Sequence, residues 1–217
     1  VTYDETQLTD VTVKFAGFIG TLHADSAGKH VERGEPLFEI YSPELYAAQQ
    51  EFLSVIASSR MARDTAAPRR ADYLIDAARQ RLRLWDLTAA QIDAIARAGV
   101  PMREIEILSP VTGNIVEKVV VAGSSVEPGQ RLLRIADLST VWVEADVYES
   151  DVGLIQVGDH ARVVLPHLRD RTIDGTVAFV YPWIESATRT ARVRLRVENE
   201  SFDLKPEMYA DVIFAGE

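Results

Sequence analysis

Cysteine is absent from the 217 residues of this sequence, which excludes disulfide bonds, thiolate metal sites and cysteine nucleophiles. No apolar run reaches the roughly 18 to 20 residues that a helix needs to span a bilayer. Basic side chains are outnumbered, since the sequence has 23 Lys and Arg but 33 Asp and Glu, which gives a net charge of −10. Because binding to nucleic-acid phosphates needs clustered Lys and Arg, we exclude a nucleic-acid partner as well.

Signatures of catalysis are also missing. The sequence has no Gly-rich phosphate loop, no nucleophile elbow and no metal-spaced pair of His. His160 and His167 flank one predicted strand, with Asp159 and Asp170 nearby, but seven extended residues separate the two His by roughly 23 Å. We interpret them as exposed and non-ligating. We therefore predict that the protein is not an enzyme and that this sequence holds no catalytic residue, cofactor site or metal ligand.

A phrase of ten residues occurs twice, 95 residues apart. Residues 31–40 read VERGEPLFEI and residues 126–135 read VEPGQRLLRI, and the match extends back to Gly17 in one copy and Gly113 in the other. Each copy predicts three short strands separated by Gly turns. Because one copy is too small to bury its own apolar face, we expect the two copies to pack together as one β-sandwich.

The duplicated pattern resembles the two halves of a lipoyl or biotinyl domain. Such a domain continues into a tight hairpin that carries the modified Lys, whereas Ile40 is followed by YSPELYAAQQEFL, which has no Lys at its tip. Lys118 lies where the pattern expects a strand, so we interpret it as a solvated side chain. A carrier function is therefore only a distant alternative.

Between the two copies, the spacing of the apolar residues predicts two long helices. Ser42 suits an N-cap and Pro43 suits the first helical position. An apolar stripe follows as far as about Met61: Leu45, Ala48, Phe52 and Val55. After a break at RDTAAPRR, Pro68 begins a second helix with a stripe of its own: Leu74, Ala78, Leu82 and Trp85. Two such stripes predict an antiparallel α-helical hairpin.

A short third helix is predicted after the hairpin, because Thr88 and Gln91 have the spacing of a capping box and Gly99 provides a stop. Beyond it, from residue 137, apolar residues alternate with polar ones between Gly and Pro turns, which predicts a small antiparallel β-barrel. We expect its strands at 141–147, 161–165, 176–180, 191–197 and 208–214. Residues 1–13 alternate too and are predicted to supply an extra strand or the connection.

This order of elements resembles a known family. It consists of half of a lipoyl motif, a helical hairpin, the other half, and a barrel that contains LSTVWVEADVYE and LKPEMYADV. This arrangement is similar to that of the periplasmic adaptors, or membrane fusion proteins, of tripartite efflux pumps. LFEIYSPELYAAQQEFL and LWDLTAAQIDAI are most similar to the heavy-metal branch. The resemblance implies a mostly β, elongated multidomain protein in which a split lipoyl-like β-sandwich presents an α-helical hairpin and is followed by a small antiparallel β-barrel.

The implied domains have defined bounds. We expect a strand or linker at 1–14 associated with the barrel, the split lipoyl-like domain at 15–41 and 105–136, the hairpin with its third helix at 42–104, and the barrel at 137–217. Because the sequence opens on Val1 rather than Met, we also expect further segments outside it. A membrane-proximal domain is one of them by family resemblance.

The resemblance also implies a function and partners. Such an adaptor links an inner-membrane resistance-nodulation-division (RND) transporter to an outer-membrane channel, forms a hexamer in the assembled pump, and lies in the periplasm, associated with the inner membrane. It has no cofactor, although the full-length protein could bind heavy-metal ions transiently. An adaptor of an ABC or drug exporter with the same architecture is the alternative.

One group of residues is a candidate for binding a partner. Four Arg surround the break between the two long helices: Arg60, Arg63, Arg69 and Arg70. In the family, this end of the hairpin faces the outer-membrane channel, so the Arg could pair with acidic residues at its mouth. An ordinary solvated loop explains the same pattern equally well.

Overall fold

The computed structural model describes residues 1–62, 68–166 and 171–214, without the side chains of residues 60–62 and 68–71. Fourteen strands lie in this part of the chain: β1 (Thr2–Tyr3), β2 (Leu8–Thr12), β3 (Gly17–Leu22), β4 (His30–Val31), β5 (Pro36–Tyr41), β6 (Glu104–Leu108), β7 (Gly113–Lys118), β8 (Ser125–Val126), β9 (Arg131–Ala136), β10 (Thr140–Tyr148), β11 (His160–Leu165), β12 (Arg171–Glu185), β13 (Thr190–Glu198) and β14 (Asp211–Phe214). The helices there are α1 (Pro43–Ala62), α2 (Pro68–Leu84), α3 (Ala89–Ala98) and the short α4 (Glu149–Val152).

The chain divides into two compact units. One is Thr9–Ile135, and the other joins Val1–Leu8 to the chain from Ala136 onward. The first unit contains two four-stranded sheets, in the orders β2-β9-β7-β4 and β6-β5-β3-β8. It therefore contains both copies of the duplicated phrase and the three helices between them.

Strands of the two copies are exchanged between these sheets. The short strand β4 of the first copy pairs with β7 of the second, and β8 of the second pairs with β3 of the first. Ile19, Leu37, Ile115 and Leu132 are all buried in one core. Packing of residues 17–40 against residues 113–135, as expected from the repeat, is therefore observed.

The two long helices begin and end close to the predicted residues. Phe52 of α1 and Leu82 of α2 are both fully buried in the core shared with the sheets, and α1 packs against α2. Leu74 was predicted on the apolar face of α2, but it is 47% exposed. Leu74 lies in the half of α2 nearer to Pro68, away from the sheets, so only α1 could cover it. Leu82 lies in the other half and packs into the core that the sheets form.

Helix α3 has the predicted boundaries. The Thr88 hydroxyl accepts from the Gln91 amide and the Gln91 side chain accepts from the Thr88 amide, which completes a capping box. Gly99 ends the helix with φ 69°, in the left-handed region that glycine enters at little cost. The predicted capping residues are therefore confirmed.

In the second unit, six strands form an antiparallel sheet in the order β1-β10-β13-β12-β11-β14. Its core consists of alternating side chains: Val141, Val143, Ala161, Val163, Leu165, Leu195, Val197 and Leu204. Strand β12 is longer than predicted, and β14 begins only at Asp211, because residues 208–210, predicted as strand, form no regular structure after a turn at Pro206 and Glu207.

The first residues contribute a strand to each of the two units. β1 pairs with β10 of the second unit, but β2 lies in a sheet of the first, next to β9. A 3₁₀ turn at Glu5–Gln7, capped by Asp4, separates the two strands. Of the two roles predicted for residues 1–13, an extra strand or the connection, β1 is an extra strand beside β10, and the chain then continues into β2 of the first unit.

Candidate functional site

The helical segment leaves the first unit through one of its strands. β5 ends at Tyr41, and after one residue α1 begins at Pro43. The buried Ser42 makes this junction, since its hydroxyl accepts a hydrogen bond from the Leu45 amide at 3.3 Å. A serine cap at a buried helix start satisfies an amide that water cannot reach, so the direction of α1 is set by the sheet.

The helical segment returns to a strand that neighbours β5. β6 pairs antiparallel with β5, with Tyr41 opposite Glu104. Buried Gln49 of α1 secures the return, because its side-chain nitrogen donates to the Met102 carbonyl at 3.1 Å and its oxygen accepts from the Met102 amide at 2.8 Å. The whole helical segment therefore starts and ends at the same end of two paired strands.

Ion pairs also hold the helices near this base. Arg81 of α2 contacts Glu51 of α1, and Arg79 of α2 lies 3.1 Å from Asp93 of α3. Exposed pairs of this kind contribute only about 0 to 1 kcal/mol each. The helix pair is therefore positioned chiefly by Phe52 and the Gln49 contact rather than by charge.

Of the four Arg of the candidate partner site, the structure describes the backbone of three. Arg63 lies outside the described residues. Arg60 belongs to the last turn of α1, and Arg69 and Arg70 to the first turn of α2, but their side chains are also outside the description. The backbone thus places three of the four at the helix ends opposite the sheets.

The predicted lack of a shared site for His160 and His167 is not tested, since His167 is outside the described residues. His160 is exposed at the start of β11. Lys118, interpreted as a solvated side chain, is half-buried in β7, where its ammonium group donates to the Val120 carbonyl at 3.2 Å. It lies within a strand rather than at a hairpin tip.

A group of possible metal ligands was missed by the sequence analysis. His23, Glu39 and Glu106 each offer one ligand atom, and these atoms all lie within 4.8 Å of one another. His23 follows β3, while Glu39 and Glu106 lie opposite each other on β5 and β6. The alternation of β5 and β6 places both Glu outward, but only the pairing of these two strands, which residues 42–103 separate in the chain, brings the two Glu together.

On the barrel, Arg194 is the centre of a cluster of polar and aromatic side chains. Its guanidinium lies 3.8 Å from the centre of the Trp142 ring, donates to Glu144 at 3.1 Å and contacts the Tyr181 hydroxyl. Burial raises the pKa of the Tyr181 hydroxyl, and the neighbouring Glu144 carboxylate adds to the rise. A neutral phenol that meets a guanidinium and a carboxylate is a stabilising arrangement rather than a reactive one.

Two family models match the chain. One, described as the barrel-sandwich hybrid domain of CusB, matches residues 8–136, and another, described as a CusB-like beta-barrel domain, matches residues 140–217. Together they cover both units of the structure. No helix in the described part of the chain is long and apolar enough to cross a membrane.

Individual relatives agree with these models. The cation efflux system protein CusB of Escherichia coli K12 is 27% identical over 97% of this chain, and the cobalt-zinc-cadmium resistance protein CzcB of Cupriavidus metallidurans is 26% identical over 98%. This chain spans only 49% and 43% of their lengths. The crystal structure of ZneB from Cupriavidus metallidurans is 28% identical, with a TM-score of 0.63, and the match covers 100% of this chain and 95% of ZneB.

Proposed function

Since this chain belongs to the CusB-like family of membrane fusion proteins, we propose that it is part of the periplasmic adaptor of a heavy-metal efflux pump. In this role it links an inner-membrane RND transporter to an outer-membrane channel and carries out no reaction itself. The names of its relatives, a cation efflux protein and a cobalt-zinc-cadmium resistance protein, support heavy-metal cations as the exported substrate.

One observation carries this proposal. The helical segment is inserted between β5 and β6, two paired strands of a β-domain that is itself assembled from both copies of a duplicated phrase. A segment that begins and ends at the same end of a rigid domain is suited to reach away from it. Its base is held next to β5 and β6, by the Ser42 cap on the Leu45 amide and by the two hydrogen bonds between Gln49 and Met102.

We assign the parts of the chain accordingly. Residues 15–41 and 105–136 form a split lipoyl-like domain, residues 42–104 an α-helical hairpin with its third helix, and residues 137–217 the barrel. The helices α1 and α2, of 20 and 17 residues, give an arm of about 30 Å at 1.5 Å per residue. Such a short arm requires that the channel reach inward or that other adaptor domains add length. Self-association to a hexamer would surround the path of the substrate.

The far end of the arm is the proposed contact with the channel. We infer that Arg60, Arg63, Arg69 and Arg70 pair there with acidic groups. Single exposed ion pairs contribute only about 0 to 1 kcal/mol, so one substitution should have little effect. Changing all four Arg to Glu in the full-length protein should abolish metal resistance of cells and cross-linking to the channel, while cross-linking to the transporter remains.

Replacement of the same four Arg by Lys is the matched control, since it retains the charge and should retain resistance. If the Glu variant keeps both resistance and cross-linking to the channel, docking through the Arg is wrong. Loss of cross-linking to both partners would instead point to misfolding, which thermal unfolding of the purified variant would reveal.

The substrate is tested separately. Cells that lack the gene should become sensitive to toxic metals, and calorimetry on the full-length mature protein with Cu(I), Ag(I), Zn(II), Co(II) and Cd(II) should identify which ion it contacts. An adaptor of a drug exporter predicts sensitivity to drugs and none to metals. Neighbouring genes that encode a metal-type RND transporter would support the proposal, and genes for an ABC transporter would contradict it.

A further inference from the structure

Two carboxylates face each other on the outer surface of the first unit. Glu39 of β5 and Glu106 of β6 occupy directly opposite positions in the strand register. Like charges at such positions repel each other and destabilise the pair. Within the described residues, neither carboxylate forms an ion pair with Lys or Arg, and the basic group that approaches Glu39 is His23, at 3.4 Å.

His23 completes the group from the adjoining turn. Its backbone is fixed on both sides, because its amide donates to the Leu37 carbonyl at 2.9 Å and its carbonyl accepts from the Lys29 ammonium at 2.7 Å. Its Nε2 atom is buried and has no hydrogen-bond partner, although it lies 3.4 Å from a carboxylate oxygen of Glu39. An imidazole nitrogen is thus aimed at a carboxylate without donating to it.

The separation of His23 Nε2 and the Glu39 oxygen suits two ligands of one metal ion better than a direct hydrogen bond. Ligands at about 2.0 to 2.1 Å from a tetrahedral Zn²⁺ are separated from one another by about 3.3 Å, close to the observed separation of His23 Nε2 and the Glu39 oxygen. The third ligand, Glu106, is exposed, so its side chain has room to close on an ion. Water would take the fourth position, as in zinc sites with three protein ligands.

We propose that His23, Glu39 and Glu106 form a binding site for a borderline divalent cation, of which Zn²⁺ and Co²⁺ are the representatives. One imidazole and two carboxylates match the preference of these ions, whereas Cu(I) and Ag(I) favour thioethers or thiolates. Ca²⁺ needs six to eight oxygen ligands, more than this group offers. The site does not depend on the adaptor role, since the chain alone supplies all three ligands.

Titration of the purified chain with Co²⁺ tests the site, because tetrahedral Co²⁺ absorbs strongly in visible light. We expect one Co²⁺ per chain, displaced by Zn²⁺. His23→Ala and Glu106→Gln should each weaken Co²⁺ binding at least about tenfold. Metal affinity falls by that factor even when the altered residue only orients a metal ligand. His30→Ala is the matched control, since His30 is an exposed histidine of the same unit that faces Asn114, and it should bind Co²⁺ as the unaltered protein does.

Stability without metal separates loss of a ligand from loss of the fold. Glu106→Gln removes the repulsion from Glu39, so without metal it should unfold at the same or a higher urea concentration than the unaltered protein. The proposal is overturned if the unaltered chain gives no tetrahedral Co²⁺ spectrum, or if His23→Ala leaves that spectrum and its midpoint unchanged. Neither result would bear on docking to a transporter or channel, which is measured in cells.

Discussion

The backbone amide of Gly28 donates a hydrogen bond to the carbonyl of Ile115 at 2.7 Å. The equivalent bond with the copies reversed runs from the Gly123 amide to the Ile19 carbonyl at 2.8 Å. Each copy of the duplicated phrase therefore places its Gly turn on a strand of the other. Since neither copy can complete these bonds by itself, the β-domain requires both, although the helices separate them in sequence.

Gly17 has no room for a side chain in this arrangement. A Cβ atom there would lie 2.6 Å from the Tyr41 carbonyl oxygen and 2.9 Å from a side-chain carbon of Ile40. Because a backbone atom cannot move aside easily, Gly17→Ala should lower the free energy of unfolding by about 1 to 3 kcal/mol. Urea denaturation would measure the change. Gly153→Ala, at a helical position with open space around it, should be neutral or slightly stabilising, and equal losses in both variants would contradict the argument.

Gln49 should contribute more to the free energy of unfolding than Gln50, its neighbour in α1. Gln49→Leu keeps the size of the side chain but leaves the amide and the carbonyl of Met102 without their partners. At about 1 to 3 kcal/mol for each unsatisfied buried group, the loss in stability should reach about 2 to 4 kcal/mol. Hydrogen exchange of the Met102 amide should accelerate at the same time. Gln50→Leu, one residue further on an exposed face, should change stability by less than about 0.5 kcal/mol.

Arg194 should stabilise the barrel through its aromatic and carboxylate neighbours. Arg194→Met retains the apolar stem but loses the cation above Trp142 and the bond to Glu144, at a cost of about 1 to 2 kcal/mol. Chemical denaturation, monitored by Trp fluorescence, would measure this loss of stability. Arg196→Met is the control, because the Arg196 side chain is 59% exposed and its ion pair with Glu198 spans 3.4 Å. A similar loss in both variants would mean that the stacking over Trp142 contributes nothing.

The contribution of Asp10 should depend on pH. Arg134 holds Asp10 through two hydrogen bonds of 2.6 and 2.9 Å. Hydrogen bonding to Arg134, together with the charges of Arg134 and Arg131, lowers the pKa of the Asp10 carboxyl below its ordinary value of 3.8. A carboxyl whose pKa is lower in the folded state adds stability above its unfolded pKa, and that stability is lost as the pH falls through the folded pKa.

Asp10→Asn should therefore lower the free energy of unfolding at neutral pH by up to about 1 kcal/mol, as for other exposed pairs. The difference from the unaltered protein should shrink below about pH 4. Denaturation series at several pH values would show it. Asp25→Asn, at an exposed position whose carboxylate accepts a hydrogen bond from the Ser26 hydroxyl, should give a smaller difference. A difference for Asp10→Asn that does not change with pH would contradict the ion pair as its cause.

The sequence by itself determined the local structure of this protein. Ser42, the pair Thr88 and Gln91, and Gly99 mark helix ends because capping depends on residues three or four positions away. Alternation predicted the strands for the same reason, since it reflects the backbone of a few neighbouring residues. The duplicated phrase further indicated that two distant segments pack together, because each alone has an apolar face and no core.

Only the tertiary structure decided which strand lies beside which. The exchange of β4 and β8 between the sheets, the transfer of β2 away from the barrel and the meeting of Glu39 with Glu106 all depend on register between distant segments. Packing of whole faces fixes that register, and a shift by one residue would turn every side chain of a strand to the opposite face. The candidate metal ligands were missed for this reason: His23, Glu39 and Glu106 have no characteristic spacing in sequence and become neighbours only when β5 and β6 pair.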